Sequence, residues 1–395
     1  MSDATVNMPI YLDHAATTPM LPEVADAVRE ASLSYGANPA SQHGPGREAR
    51  RRLEEAREQI GELLGAKVGG MKADRVILTS GGTEANNLAI LGLNSSKTSS
   101  LTATDSAGIM ISPIEHPCIE GPAAWLEDRG VPVERLPVAA SGVVGLGRLE
   151  NLSSSPPRLV SLMLGNNETG VLQPVQQAAE LCNSVGIVLH TDASQAVGKH
   201  RVDFTELGAG ALTCTAHKLH GPLGIGALIV KHGAPLSPQL HGGFQQAGLR
   251  AGTESVALAV GMAAALQLAI SDLESNRNHL ELLRKRFENA ILTECDGTQA
   301  IGAESPRLPH ISNIAFVGCD RQALVMALDL AGVACSTGSA CASGSSEPSP
   351  ALLAMGLAEG VISGSVRFSF ASTTTESEID EATRRILNVH SGLRQ

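Results

Sequence analysis

The sequence predicts an α/β fold, and three observations carry that prediction. Short apolar runs recur along the chain, each closed by glycine or polar residues, and helix-like segments lie between them. Most of these runs are apolar throughout rather than alternating, as expected of a sheet covered on both faces. Only nine Phe, Trp and Tyr stand against 41 Gly in 395 residues, so the core is built from Ala, Leu, Val and Ile around many tight turns.

In chain order the expected strands are 75–79, 108–112, 159–164, 186–191, 211–215 and 225–230. Ahead of them, Leu53, Ala56, Ile60 and Leu63 recur at spacings of 3, 4 and 3 with Arg and Glu on the other face, which predicts a helix covering the sheet. Residues 256–270 form the longest mostly apolar stretch, but Gln267 interrupts it. It is shorter than the roughly 20 residues that cross a bilayer and predicts a buried helix instead. Beyond about residue 270 the pattern changes to a charged helix (271–292), a strand (311–317), a further helix, a short strand (332–335) and a Gly/Ser loop. This is the pattern of a second, smaller α+β unit.

Composition narrows the function. The chain has 29 Lys+Arg against 40 Asp+Glu, a net charge of −11, so no cationic surplus is available for nucleic acid. Residues 1–10 contain neither Lys nor Arg nor a long apolar run, so no secretory or mitochondrial leader is expected and the expected setting is cytoplasmic. Seven cysteines, odd in number and without CxxC spacing, suit free thiols in a reducing compartment and offer no zinc site.

Three segments carry chemistry. Thr79-Ser80-Gly81-Gly82-Thr83-Glu84 joins a strand to a helix, where glycines admit an anion to the backbone N–H groups of the helix start. It is equally readable as a tight turn with a Thr cap. In His190-Thr191-Asp192-Ala193-Ser194-Gln195 an apolar strand delivers Asp192 to its carboxyl end, where open α/β sheets bind ligands. That Asp could pair with a cationic ring nitrogen, or simply cap the next helix. In Cys214-Thr215-Ala216-His217-Lys218 a lysine closes a buried strand before a Gly-rich turn, a setting that frees an amine for Schiff-base chemistry or leaves a solvated loop Lys. Asp, Lys and a Gly/Thr anion loop on successive strand ends together point to pyridoxal phosphate, whose ring nitrogen, aldehyde and phosphate need those three groups.

The order of these motifs resembles the cysteine desulfurases, fold-type I pyridoxal-phosphate enzymes of the class V aminotransferase group, and most closely their iron-sulfur-cluster-type branch. The resemblance spans nearly the whole chain and rests on Tyr11-Leu12-Asp13-His14-Ala15-Ala16-Thr17-Thr18-Pro19, Asn38-Pro39-Ala40-Ser41, Ser80–Glu84, Glu115-His116, Asn166-Asn167-Glu168-Thr169-Gly170, Asp192 with Gln195, His217-Lys218 and Arg250-Ala251-Gly252-Thr253. It implies a large mostly parallel-sheet domain over 21–269 and a small domain made of 1–20 with 270–395. It further implies that Lys218 carries the cofactor and moves the substrate's Cα proton, that Asp192 holds the ring nitrogen, and that His116 stacks on the ring. Asn167 and Gln195 contact ring or substrate. Gly82, Thr83, Thr215 and His217 hold phosphate, and Thr253 reaches the phosphate of a neighbouring subunit in a homodimer. Asn38 and Arg367 contact substrate, with the planar Arg367 fork on its carboxylate.

The residues 334–344 are small and end a strand, which predicts a loop with an exposed, reactive thiol. Gly338-Ser339-Ala340-Cys341 before Glu347-Pro348-Ser349 resembles the family's catalytic-cysteine loop, making Cys341 the nucleophile that takes sulfur from L-cysteine as a persulfide for a sulfur-acceptor or iron-sulfur scaffold protein. Cys335 ends the preceding strand and is expected to pack. Two departures, Gln246-Ala247 in place of a Glu-Arg pair and Ala371-Ser372 in place of Gly-Arg, are expected to remove charge near the mouth of the site. The alternatives are a selenocysteine lyase, a C–S lyase that releases sulfide, and a cofactor-binding scaffold or regulator without turnover.

Overall fold

The computed structural model describes residues 9–94, 107–154, 156–338 and 347–393. Its strands in chain order are β1 (Ile10–Tyr11), β2 (Arg75–Thr79), β3 (Ile109–Ile111), β4 (Val133–Arg135), β5 (Leu159–Ser161), β6 (Val188–Asp192), β7 (Ala211–Thr215), β8 (Gly226–Val230), β9 (Thr298–Ala300), β10 (Ile311–Phe316), β11 (Val333–Ala334) and β12 (Ser365–Ser369). Seven of them form one sheet in the order β2-β8-β7-β6-β5-β3-β4. Every pairing in it is parallel except those of β8, which runs antiparallel to both β2 and β7.

The largely apolar character of the central strands follows from two cores, one on each face. Along β8, Ala227 and Ile229 enter the core that also holds Leu53, Ala56 and Ile60, while Leu228 and Val230 enter the core beneath Ile90 and Ile119. Successive side chains point to opposite faces, and both faces are dry. Helix Gly44–Leu63 and helix Val256–Ser271 cover the first face, and helices Gly82–Asn94 and Pro117–Glu127 the second. No single helix among the described residues is long and apolar enough to cross a membrane.

Strand positions agree closely with expectation except at their ends. The run 159–164 is regular strand only to Ser161, although Leu162, Met163 and Leu164 remain buried and Leu162 and Leu164 still donate to β6 carbonyls. The charged helix begins at Leu273, after a sharp bend of 73° from the preceding apolar helix.

The second unit holds the antiparallel sheet β12-β10-β9 and the parallel pair β1-β11. Helices Leu273–Glu294 and Glu376–Leu393 pack on it. Its core contains four of the six phenylalanines, Phe287, Phe316, Phe368 and Phe370, together with Ile10 and Leu12 of the N-terminal segment. The Phe287 ring lies 4.9 Å from Phe368 in tilted geometry and 5.5 Å from Phe370 edge-on, an arrangement that adds to area burial. Cys335 packs against this core, and burial pushes its thiol up to about 12. Phe287→Ala is expected to destabilise this unit by about 3–5 kcal/mol, read as a lowered denaturant midpoint.

Candidate active site

The carboxyl ends of β2, β6 and β7 and the amino end of the reversed β8 meet at one edge of the large sheet. Gly226 pairs with both Thr79 and Thr215 there. A Cβ on Gly226 would lie 2.7 Å from the Gly81 carbonyl carbon, so the anion-type turn sits directly on a residue that must lack a side chain. Helix Gly82–Asn94 starts from that turn, and the Glu84 carboxylate in its first turn accepts from Ser80 N (2.7 Å) and pairs with Arg250 (2.7 and 3.0 Å).

Ten predicted residues line one cavity of about 290 Å³: Gly82, Thr83, His116, Asn167, Asp192, Gln195, Thr215, His217, Lys218 and Arg367. Asp192 ends β6, where Asn86 Nδ2 donates to one of its oxygens (2.7 Å) and Ser194 N to the other (2.8 Å). Asn86 was not legible as a site residue, yet it lies one helical turn past Gly82 and Thr83 on the face they present. His116 is the N-cap of helix Pro117–Glu127, its Nδ1 accepting from Cys118 N at 3.2 Å. Capping and cavity lining are therefore both true of it. Cys118 Sγ lies 2.9 Å from the same nitrogen and accepts from Asn86 Nδ2 at 3.0 Å. Burial pushes the Cys118 thiol up to about 12, so it stays protonated.

Burial and the Lys218 charge push His116 down to about 4, and the same two causes push His217 down to about 4. Both imidazoles are neutral at pH 7. Neighbouring Glu115 is half-buried and takes Met163 N on one oxygen (2.7 Å), and loss of solvent around its carboxyl pushes it up to about 8.

Lys218 closes a short 3-10 turn (Ala216–Lys218) that follows β7. The N-terminal segment grips that turn: Thr18 Oγ1 donates to the His217 carbonyl (2.8 Å) and accepts from His220 N (2.7 Å), while Thr17 Oγ1 meets His217 Nδ1 at 3.2 Å. Gln195 Nε2 donates to the Ala15 carbonyl at 2.9 Å.

An Arg inside the apolar strand β12 requires a partner, and Arg367 has one that the sequence did not reveal. Its guanidinium donates to the Asp13 carboxylate at 2.7 Å and to the Asn167 carbonyl at 2.9 Å. Its Nε has no partner among the described residues.

Asn38 and Thr253 do not reach this cavity in the single chain; they line a separate groove with Glu254. In the single chain the two departures lie apart from the first cavity. Gln246 and Ala247 adopt left-handed backbone (φ 48° and 56°), which carries the Gln246 amide onto the edge of β2. There it accepts from Leu78 N and donates to the Leu78 carbonyl, both at 2.8 Å, in the manner of an added strand. Ala371 and Ser372 line a second cavity behind the Lys218 turn. Neither pair stands at the mouth of the first cavity. Cys341 lies outside the described residues.

A carboxylate, an amine, an arginine fork and a helix start around one cavity define a class of fold whose relatives are readily found. Residues 10–382 match the family model of the class-V aminotransferases. An IscS-like cysteine desulfurase of Mycobacterium tuberculosis is 40% identical over 376 residues, 94% of each chain. A solved NifS-like protein superposes with a TM-score of 0.87 at 30% identity, covering 98% of this chain and all of that one. A structure described as SspA in complex with cysteine superposes with a TM-score of 0.78 at 29% identity, covering 92% and 99%. The chain belongs to the class-V aminotransferase family, among its cysteine desulfurases.

The depressed His116 has a measurable sign. Its folded value, about 4, lies below the ordinary 6.5, so the unfolded chain binds the extra proton. Its contribution is full above pH 6.5 and is lost as pH falls toward 4. His116→Asn, which keeps a capping acceptor, is expected to lose less stability than wild type between pH 6.5 and 5, by about 1–2 kcal/mol in denaturant titrations.

Proposed function

We propose that the protein converts L-cysteine to L-alanine with pyridoxal phosphate, holding the sulfur as a persulfide on Cys341 until an acceptor thiol takes it. The observation that carries this reading is the convergence of Asp192, Lys218, His116 and Arg367 on one cavity in a chain of this family. The cavity fits the cofactor. Ser194 Oγ and Arg367 Nε are buried there without partners among the described residues, and Gly82 leaves open backbone at a helix start suited to phosphate.

When bound, pyridoxal phosphate supplies an electron sink that labilises the substrate's Cα–H and Cβ–S bonds. Asp192, fixed by Asn86 and Ser194, would hold a proton on the ring nitrogen. Neutral His116 presents a flat face that carries no charge of its own to oppose that proton. The Lys218 amine moves the Cα proton, and its turn is held at both flanks by Thr18. The Arg367 fork faces the substrate carboxylate from a buried strand, where water screens it little. Cys341 attacks the substrate's sulfur. The Cβ–S bond breaks, the sulfur joins Cys341 as a persulfide, and the thiol proton is returned to carbon, so that L-cysteine and one protein thiol become L-alanine and one persulfide.

Product analysis with L-cysteine tests this. Wild type is expected to form alanine and a persulfide on Cys341, with turnover beyond one equivalent requiring an added thiol. Cys341→Ser is expected to keep its cofactor colour and form neither. Pyruvate with sulfide from both proteins, or turnover of selenocysteine alone, would assign a C–S lyase or a selenocysteine lyase instead.

We further propose that the working unit is a homodimer in which Thr253, on a groove apart from its own chain's cavity, serves the neighbour's phosphate. Phe244 beside that groove is 84% exposed, which supports a covered surface there. The solution mass is expected to be twice that of the chain; a monomer with full cofactor occupancy overturns this.

A further inference from the structure

Behind the Lys218 turn, on the side away from the cofactor cavity, lies a second cavity of about 290 Å³ at the junction of the two units. Thr18, Lys199, His220, Asn276 and Ser372 contribute its polar lining, and Glu23 and Asp272 its carboxylates. Lys199 is only 7% exposed, although lysine is among the residues least often buried. Its ammonium donates to the backbone carbonyl of Lys218. A lysine whose charge is buried at the back of another lysine's own peptide unit needs a reason, because taking a charge out of water is costly.

We propose that Lys199 is a positioning residue for Lys218: it fixes the Lys218 carbonyl from behind, and its positive charge loosens the proton on the Lys218 nitrogen. The proposal rests on the pyridoxal-phosphate reading above. The carbonyl contact complements the Thr18 grip, so the turn is held at His217, Lys218 and His220 in succession. The charge acts as a second cation does beside any reactive amine, disfavouring the protonated form of its neighbour. The surroundings leave this effect in place. The imidazoles that feel Lys199, those of His14, His217, His220 and His310, are all held below their ordinary value by burial first, and are neutral at pH 7. Glu23 and Asp272 line the same cavity from helix Pro22–Ser34 and from the bend before helix Leu273–Glu294, and neither makes an ion pair with Lys199 among those described. Burial and the Lys218 charge bring Lys199 itself down to about 7, which places its influence in the neutral range.

The test uses full-length protein loaded with pyridoxal phosphate and three variants: Lys199→Arg, which keeps a charge at every working pH; Lys199→Gln, which keeps a donor without charge; and Lys199→Met, which keeps neither. The readout is the pH titration of the bound cofactor's visible absorbance. The midpoint is expected to be lowest in Arg and highest in Gln and Met, with about one unit between Arg and Gln. Met, lacking the donor, is expected to release cofactor several-fold more readily than Gln. Superimposable titrations of the Arg and Gln variants overturn the proposal, and this comparison stands even if the Met variant does not fold. Failure of wild type to take up the cofactor is a separate result that removes the underlying reading and the proposal with it.

Discussion

The buried pair between Asp13 and Arg367 is the constraint on which the site depends. Arg367 belongs to β12 of the smaller unit, Asp13 to the N-terminal segment, and the Asn167 carbonyl that shares the guanidinium to a loop after β5 of the large sheet. One side chain therefore registers three parts of the chain against each other. A guanidinium left in that strand without its carboxylate would face the cost of an unpaired buried charge, typically about 3–5 kcal/mol. The pair thus also fixes where the guanidinium can point, because Asp13 and Asn167 bond to its two terminal nitrogens.

From that registration the remaining groups follow by strand geometry. Each parallel strand presents its last residue at the same edge, so Asp192 and the Lys218 turn emerge side by side without any special local structure. The reversal of β8 places a glycine rather than a strand's final side chain between them and the helix start. Its absent Cβ is what lets the Gly81–Gly82 turn settle against the sheet. Thus backbone packing, rather than the conformation of any one loop, sets the distance between the anion-type turn and Lys218.

Much of this was legible because it is local. Continuous apolar runs give the strands, and the residue that ends each run gives Asp192, Thr215 and Lys218. What escaped depends on pairings between distant segments. Nothing near Asp13 announces Arg367, and Asn86 is an ordinary helix residue until Asp192 is placed opposite it. Gln246 misleads in a different way: in a list of residues it is a lost charge, whereas in the fold its amide imitates a strand backbone on β2. Strand ends differ for a related reason, since Leu162 and Leu164 are as buried as a strand and still donate to the β6 carbonyls of His190 and Asp192, although the regular strand ends at Ser161.

The N-terminal segment carries one more implication. Residues 10–18 pair with β11, bond to Arg367 and Ser369 in β12, and grip the turn at His217, so the first described strand is completed by nearly the last. Asp13 and its partner are 354 residues apart in the chain. Such closure has a high loop-entropy cost and belongs late in folding. During synthesis the lysine turn is made long before β12 leaves the ribosome, so an unfinished chain carries Lys218 without Arg367. Completion of the polypeptide is thereby also the step that brings Arg367 to the cavity that Lys218 already lines.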